Sequence, residues 1–251
     1  MPARAKMLKS SFARSVALVA AFSAPAAIAQ EAIAQEAIAQ GAIAQEAVQE
    51  RPAAFVDAAT IVPGLIPEMR YAGAHNFTGR PIDGYEARRC LLTRQAAEAL
   101  ANVARDLAPR GLAIKAFDCY RPTRAVENFI RWARDFNDQV ARAEFYPNVD
   151  KRTLFRDGYI ASHSGHSRGS TIDMTLARAD GTELDMGTHF DFFSAMSWTA
   201  DPTISAEQHA NRMLLVAAMR RRGFRNYDKE WWHFTLTPEP FPDTYFNFPV
   251  R

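Results

Sequence analysis

The stretch Ser-Gly-His-Ser-Arg-Gly-Ser-Thr-Ile-Asp-Met-Thr-Leu (Ser164–Leu176) joins a polar loop to a run of alternating side chains. The apolar members of that run are Ile172, Met174 and Leu176, and the polar members between them are Thr171, Asp173 and Thr175. A period of two is typical of a β-strand whose two faces lie in different environments. The pattern therefore predicts a strand over Ser170–Leu176, with its apolar face toward the core and Asp173 on the opposite, open face.

A second segment, Glu-Trp-Trp-His-Phe-Thr-Leu-Thr (Glu230–Thr237), has the same alternation. It predicts a strand over Trp231–Thr237 with His233 on the polar face. Two such strands in one sheet would place Asp173 and His233 on a common surface. Glu230 has the wrong parity for that face if it belongs to the strand, so we place it in the turn just before.

These two segments together predict a metal site. Two imidazoles (His166 and His233) and one carboxylate (Asp173) are nitrogen and oxygen ligands, and a catalytic zinc has three such ligands with a fourth position left to water. Glu230, three residues before His233, is placed to take the proton of that water. His163 competes with His166 as a ligand, because a loop can present either. The prediction is a zinc hydrolase with one Zn²⁺ per chain.

The N-terminus predicts export. Four basic residues precede an apolar run over residues 15–27, and Ala27-Ile28-Ala29 has the small-x-small form of a cleavage site. We interpret residues 1–29 as a signal peptide that directs the chain to the bacterial periplasm; the alternative is an uncleaved anchor. Residues 30–52 contain a five-residue repeat and are predicted to be a spacer, which leaves 53–251 as the catalytic domain. No stable membrane span is expected after cleavage.

Charge and cysteine content limit the partners and the compartment. Four of the 30 Lys and Arg residues lie in the signal, so 26 remain against 28 acidic residues, and a net charge near −2 argues against a nucleic-acid partner. The two cysteines, Cys90 and Cys119, are predicted to form a disulfide, since an exported chain permits one. Two buried free thiols are the alternative.

The coarse pattern predicts one α+β domain. Helices are expected over 93–107, 123–137 and 206–222, and a further strand over 112–117. We expect a mixed or antiparallel sheet that carries the zinc site, with the helices packed on its other side.

Several motifs resemble those of the zinc D-alanyl-D-alanine dipeptidases, the type found in vancomycin-resistance clusters. The resemblance covers about residues 55 to 251, in order, with one departure: the family commonly has Ala where this chain has Thr171. Beside the two segments above, the motifs are Phe-Asp-Cys-Tyr-Arg-Pro (Phe117–Pro122), Met-Gly-Thr-His-Phe-Asp (Met186–Asp191), Tyr-Ala-Gly-Ala-His-Asn-Phe-Thr-Gly (Tyr71–Gly79) and Tyr-Phe-Asn-Phe-Pro (Tyr245–Pro249).

The resemblance implies a role for each matching residue. His166, Asp173 and His233 would be zinc ligands and Glu230 the catalytic base. Arg121 would stabilise the developing oxyanion. The residues that would hold the dipeptide are Ser164, Asp191 and Tyr71.

The expected activity is zinc-dependent hydrolysis of D-Ala-D-Ala to two D-alanines, linked to peptidoglycan metabolism. One alternative is a peptidoglycan D,D-carboxypeptidase or endopeptidase. Another is a non-catalytic cell-wall binding module with a structural metal, which would need neither Glu230 nor Arg121.

Overall fold

The structure, a computed structural model, describes residues 49–251. The predicted signal peptide (1–29) and most of the predicted spacer (30–52) lie outside these residues. Within residues 49–251, no helix combines the length and the apolar character needed to cross a membrane.

The regular elements are seven strands and five α-helices within this range. The strands are β1 (Phe55–Asp57), β2 (Ile66–Pro67), β3 (Leu91–Thr93), β4 (Leu112–Asp118), β5 (Thr171–Arg178), β6 (Phe224–Tyr227) and β7 (Glu230–Leu236). The helices are α1 (Arg94–Leu107), α2 (Thr123–Arg134), α3 (Arg142–Phe145), α4 (Leu154–Asp157) and α5 (Ala206–Arg221).

Five strands form a mixed sheet in the order β2-β4-β5-β7-β6, and β1 pairs with β3 separately. Only β2 and β4 run parallel in the described sheet, and its other neighbours are antiparallel. The three strands expected from the alternation are β4, β5 and β7, within one or two residues of their predicted bounds. The predicted α+β class is confirmed.

Two of the helices begin at residues whose side chains cap the free N–H groups of the first turn. Thr93 accepts from the N–H of Ala96 at the start of α1, and Ser205 forms a capping box with Gln208 at the start of α5. Helix α1 packs on β4, and α5 packs on β6 and β7. Helix α2 lies at the predicted site, because its Val126 and Phe129 line the pocket there.

Two local expectations about the strands are wrong. Glu230 is the first residue of β7, and the polar face of β5 is not open, since Thr171 and Thr175 are both fully buried. The hydroxyls of Thr171 and Thr235 lie 2.9 Å apart and hydrogen-bond each other across the two strands. A threonine whose hydroxyl is paired in this way fits a buried face, so alternation alone does not show which face is solvated.

The structure contains the predicted disulfide. Cys90, just before β3, is bonded to Cys119, just after β4, and both residues are buried. The peptide N–H of Tyr120 donates to the carbonyl of Leu91, so the two segments are also joined through the backbone. The crosslink therefore fixes the end of β4 against β3.

Removing this disulfide should destabilise the fold. For a sequence separation of 29 residues, the chain-entropy model gives a loss of about 3–4 kcal/mol in the free energy of unfolding. Urea unfolding of wild type and of Cys90→Ser/Cys119→Ser, each with and without reductant, measures it. The double variant is its own control, since the chain has only two cysteines and reductant should then change nothing. Equal urea midpoints for oxidised and reduced wild type would contradict the expectation.

Candidate active site

A pocket of about 280 Å³ lies at the edge of the sheet where β4 ends and β5 begins. All eight side chains to which the sequence assigned a metal-binding, catalytic or substrate-binding role line this pocket. They are Tyr71, Arg121, Ser164, His166, Asp173, Asp191, Glu230 and His233. Residues more than 150 positions apart in the sequence thus meet in one cavity.

Sheet register brings Asp173 and His233 together, because they are direct partners across β5 and β7. Nδ1 of His233 lies 3.0 Å from Oδ1 of Asp173, and Nε2 of His166 lies 3.2 Å from Oδ2. The two imidazole nitrogens are 3.3 Å apart. The three residues can therefore direct one ligand atom each at a single point, and all three atoms lie within 4.8 Å of one another.

A 3₁₀ turn over Gly165–Arg168 holds His166. The turn begins at Ser164, whose hydroxyl accepts from the N–H of His166, and ends at Gly169 with φ 81°. A Cβ at residue 169 would lie 2.1 Å from the ring of Phe55, so only glycine fits there. The turn thereby fixes where the His166 ring enters the pocket.

The protonation pattern suits metal binding. Nδ1 of His166 lies 2.7 Å from the carbonyl of Cys119, which can only accept, so Nδ1 carries the proton and Nε2 offers its lone pair. Oδ1 of Asp173 is buried, and among the described residues its 3.0 Å contact with Nδ1 of His233 lacks the geometry of a hydrogen bond. Burial raises the pKa of Asp173, but the two imidazoles outweigh it and hold the pKa below its ordinary value. These three residues can hold a metal ion.

His163, the competing ligand, is not part of this group. It is exposed, and its ring packs 5.1 Å from that of Tyr245. The structure thus favours His166 for the metal position.

Glu230 lies beside the metal position without being part of the ligand group. Its Oε2 is 3.4 Å from Nδ1 of His233, and its side chain is 25% exposed. Burial raises the pKa of Glu230 to about 7. Within residues 49–251 no hydrogen-bond donor occupies its carboxylate, so the group remains available to a molecule in the pocket.

Arg121 reaches the pocket from the segment between β4 and α2. Its guanidinium packs against two neighbouring aromatic rings, 5.1 Å from the centre of Tyr71 and 5.0 Å from that of Phe129. Nη1 faces Ser164 at 3.5 Å from its Oγ. A planar cation held in this way can donate to a carbonyl oxygen as it gains charge.

Asp191 and Tyr71 form a separate acidic corner of the pocket. The Tyr71 hydroxyl donates to Oδ2 of Asp191 over 2.8 Å, and both side chains are buried. Asp191 has φ 62°, the one positive φ outside glycine in the described chain, which is strain of the kind found at binding sites. Burial, and then the negative charge of Asp173, raise the pKa of Asp191 well above its usual range. A cation in this corner would relieve that cost.

Asp118 is one member of the site that the sequence analysis missed. It pairs with Asp173 across β4 and β5, so Asp118, Asp173 and His233 form one row across three strands. One feature of the sequence could have pointed to this residue: Asp118 is an acid at the end of a mostly apolar predicted strand, three residues before Arg121.

Comparison with known proteins assigns the family. The family model described as D-Ala-D-Ala dipeptidase, of peptidase family M15, matches residues 51–251. The chain belongs to the D-Ala-D-Ala dipeptidase family. The resemblance seen in the motifs, and the expectation of a metallopeptidase, are thereby confirmed.

Individual relatives align over nearly their whole length. The D-alanyl-D-alanine dipeptidase of Enterococcus faecium is 43% identical over 192 residues, which are 76% of this chain and 95% of that protein. The protein of the same name from Enterococcus faecalis is 44% identical over 188 residues, or 74% and 93% of the two chains. That of Streptomyces coelicolor is 40% identical over 198 residues, or 78% and 97%. Membership of this peptidase family disfavours a non-catalytic binding module.

Proposed function

We propose that this chain hydrolyses the free dipeptide D-Ala-D-Ala to two D-alanines with one bound Zn²⁺, as part of peptidoglycan metabolism. The observation that carries the proposal is one pocket that contains the ligand group, Glu230 and the Asp191 corner. The names of the relatives supply the substrate.

Zinc fits the residues of the site. Two imidazoles and one carboxylate are ligands of catalytic zinc sites, which keep one position open. Oδ1 of Asp173 is buried without a well-aligned hydrogen bond, and the Cys119 carbonyl fixes the tautomer of His166. When bound, zinc supplies Lewis-acid polarisation of the scissile carbonyl and a lower pKa for the attacking water.

The protein's own groups divide the remaining work. Glu230 takes the proton of the attacking water and later delivers it to the leaving amine. Arg121 donates to the carbonyl oxygen as negative charge develops there. Because Arg121 is already held by Asp118 and packs against Tyr71 and Phe129, little reorganisation accompanies that step.

The acidic corner sets the orientation of the dipeptide. Asp191 would pair with the substrate's α-ammonium, while Tyr71 holds the Asp191 carboxylate in place and Ser164 contributes its hydroxyl. Burial disfavours the ionised form of Asp191, and a nearby cation such as a free N-terminus restores it. This end of the pocket favours dipeptides over wall peptides, in which that nitrogen is an amide.

We also propose that the enzyme acts in the bacterial periplasm. The basic, apolar and small-x-small order of residues 1–29 supports export. The disulfide between Cys90 and Cys119 is consistent with an oxidising compartment.

The proposal is tested by metal content and hydrolysis on the same samples. We expect one zinc per chain and release of D-alanine from D-Ala-D-Ala, with much slower reaction of L-Ala-L-Ala and of a muramyl pentapeptide. His233→Ala should lose zinc and activity together, because only two ligands remain. His209→Ala, an exposed histidine of α5, is the matched control and should keep both. Faster D-alanine release from the pentapeptide than from the dipeptide would overturn the assignment.

A further inference from the structure

Asp118 is a fully buried carboxylate at the end of β4, between the core and the pocket. We propose that Asp118 is a positioning residue that holds Arg121 in the orientation needed for catalysis. The inference rests on the proposed function, because Asp118 is proposed to orient Arg121, the side chain that donates to the developing oxyanion in that reaction.

Both oxygens of Asp118 are occupied. Oδ1 accepts from the Tyr85 hydroxyl at 2.6 Å and from the peptide N–H of Cys119 at 2.9 Å. Oδ2 accepts from Nε of Arg121 at 2.9 Å, with Nη2 of the same guanidinium also at 2.9 Å. The carboxylate is thus fixed on one side by the fold and holds Arg121 on the other.

These contacts leave one end of the guanidinium for the substrate. Nε and Nη2 are directed at Asp118, and Nη1 faces the pocket beside Ser164. The adjacent rings of Tyr71 and Phe129 pack against the guanidinium and limit its movement further. A long, flexible side chain is thereby reduced to one orientation before substrate arrives. A donor that is pre-aligned with the developing charge needs no rearrangement in the transition state.

Asp118 holds the guanidinium of Arg121 more closely than the metal-ligand candidate Asp173 does. Nη2 of Arg121 lies 3.6 Å from Oδ2 of Asp173, so a guanidinium released from Asp118 has a second carboxylate within reach. Asp118 therefore acts through the placement of a cation.

An effect of Asp118 on the position of His166 has to be distinguished from its effect on the position of Arg121. Oδ2 of Asp118 lies 3.5 Å from Nδ1 of His166, whose proton is directed at the closer carbonyl of Cys119 at 2.7 Å. Positioning of Arg121 predicts a change in kcat at full zinc occupancy. Positioning of His166 predicts weaker zinc binding.

The main test is Asp118→Asn, assayed with saturating zinc. We expect kcat on D-Ala-D-Ala to fall about 10–100-fold, the scale of a misplaced catalytic group, with KM nearly unchanged and one zinc per chain. In the Arg121→Ala background the same substitution should change kcat less than about twofold, because coupled residues are not additive. Asp138→Asn, which breaks the Asp138–Arg80 pair away from the pocket, is the matched control and should match wild type.

A second variant and a second readout keep the test decisive. Tyr85→Phe removes one hydrogen bond from Asp118 but leaves the charge of Asp118 in place. This variant should lower kcat a few fold in the wild-type background and should leave kcat unchanged in the Arg121→Ala background. The NMR signal of the Arg121 Nε–H, assigned by its loss in Arg121→Lys, should exchange slowly in wild type and rapidly in Asp118→Asn. Additive losses in kcat, or an unchanged Nε–H signal, would overturn the proposal. Failure of wild type to hydrolyse D-Ala-D-Ala would reject the proposed function alone, because the NMR result does not depend on turnover.

Discussion

Replacing Glu230 with glutamine should lower kcat on D-Ala-D-Ala by about 10²–10⁴-fold, the usual contribution of a positioned general base. Glutamine keeps the shape of the side chain but cannot take a proton. Zinc content should stay at one per chain, because Glu230 lies outside the group of His166, Asp173 and His233. Metal analysis and steady-state kinetics on the same preparation measure both quantities.

The control for this experiment is Glu183→Gln. Glu183 pairs with Lys115 at 2.9 Å and does not line the pocket, so its variant should retain wild-type kcat and zinc. Loss of zinc from Glu230→Gln, with normal activity per bound zinc, would instead make Glu230 a ligand.

Acetylating the substrate should have the second large effect. Acetyl-D-Ala-D-Ala has no α-ammonium, so binding it would leave the buried Asp191 without a cation, with only the Tyr71 hydroxyl as its partner. That penalty is several kcal/mol, or roughly a thousandfold in kcat/KM. Asp191→Ala should lower kcat/KM far more for the free dipeptide than for the acetylated one. The ratio of the two kcat/KM values should therefore be smaller in the variant than in wild type. The four kcat/KM values form one double-mutant cycle.

The matched control is Asp201→Asn. Asp201 is also buried, but its carboxylate accepts a hydrogen bond from the N–H of Thr203 and does not line the pocket. It should preserve the full discrimination between free and acetylated dipeptide. Comparable kcat/KM for the two substrates in wild type would favour a D,D-carboxypeptidase.

Alternation of side chains was enough to predict the centre of the site. The period of two located β5 and β7, and it put Asp173 and His233 on one face, where the structure pairs them directly. The sequence placed His166 in the loop before the strand and left His163 as an alternative; the three-dimensional position of each ring favours His166.

The position of Asp118 could not be predicted from the alternation of side chains. A regular β4 would place Asp118 on the face of Ala116, which pairs with Met174 in β5. The register shifts between Ala116 and Asp118, and the shift sets Asp118 opposite Asp173 instead. A one-residue irregularity of this kind depends on the packing of neighbouring strands, and a single sequence has no local signal for it. The membership of Glu230 in β7 was missed for a related reason, since a shift in the β6–β7 register lies beside it.

The hydrogen bond from His166 to the carbonyl of Cys119 has a practical consequence for anyone who produces this enzyme. The carbonyl that orients the His166 ring belongs to a half-cystine, so the oxidation state of two sulfur atoms affects the scaffold of the candidate metal site. Protein made in a reducing host cytosol would carry thiols at Cys90 and Cys119 and a less firmly held His166. Low activity of such a preparation would result from the missing disulfide, since all catalytic side chains would still be present.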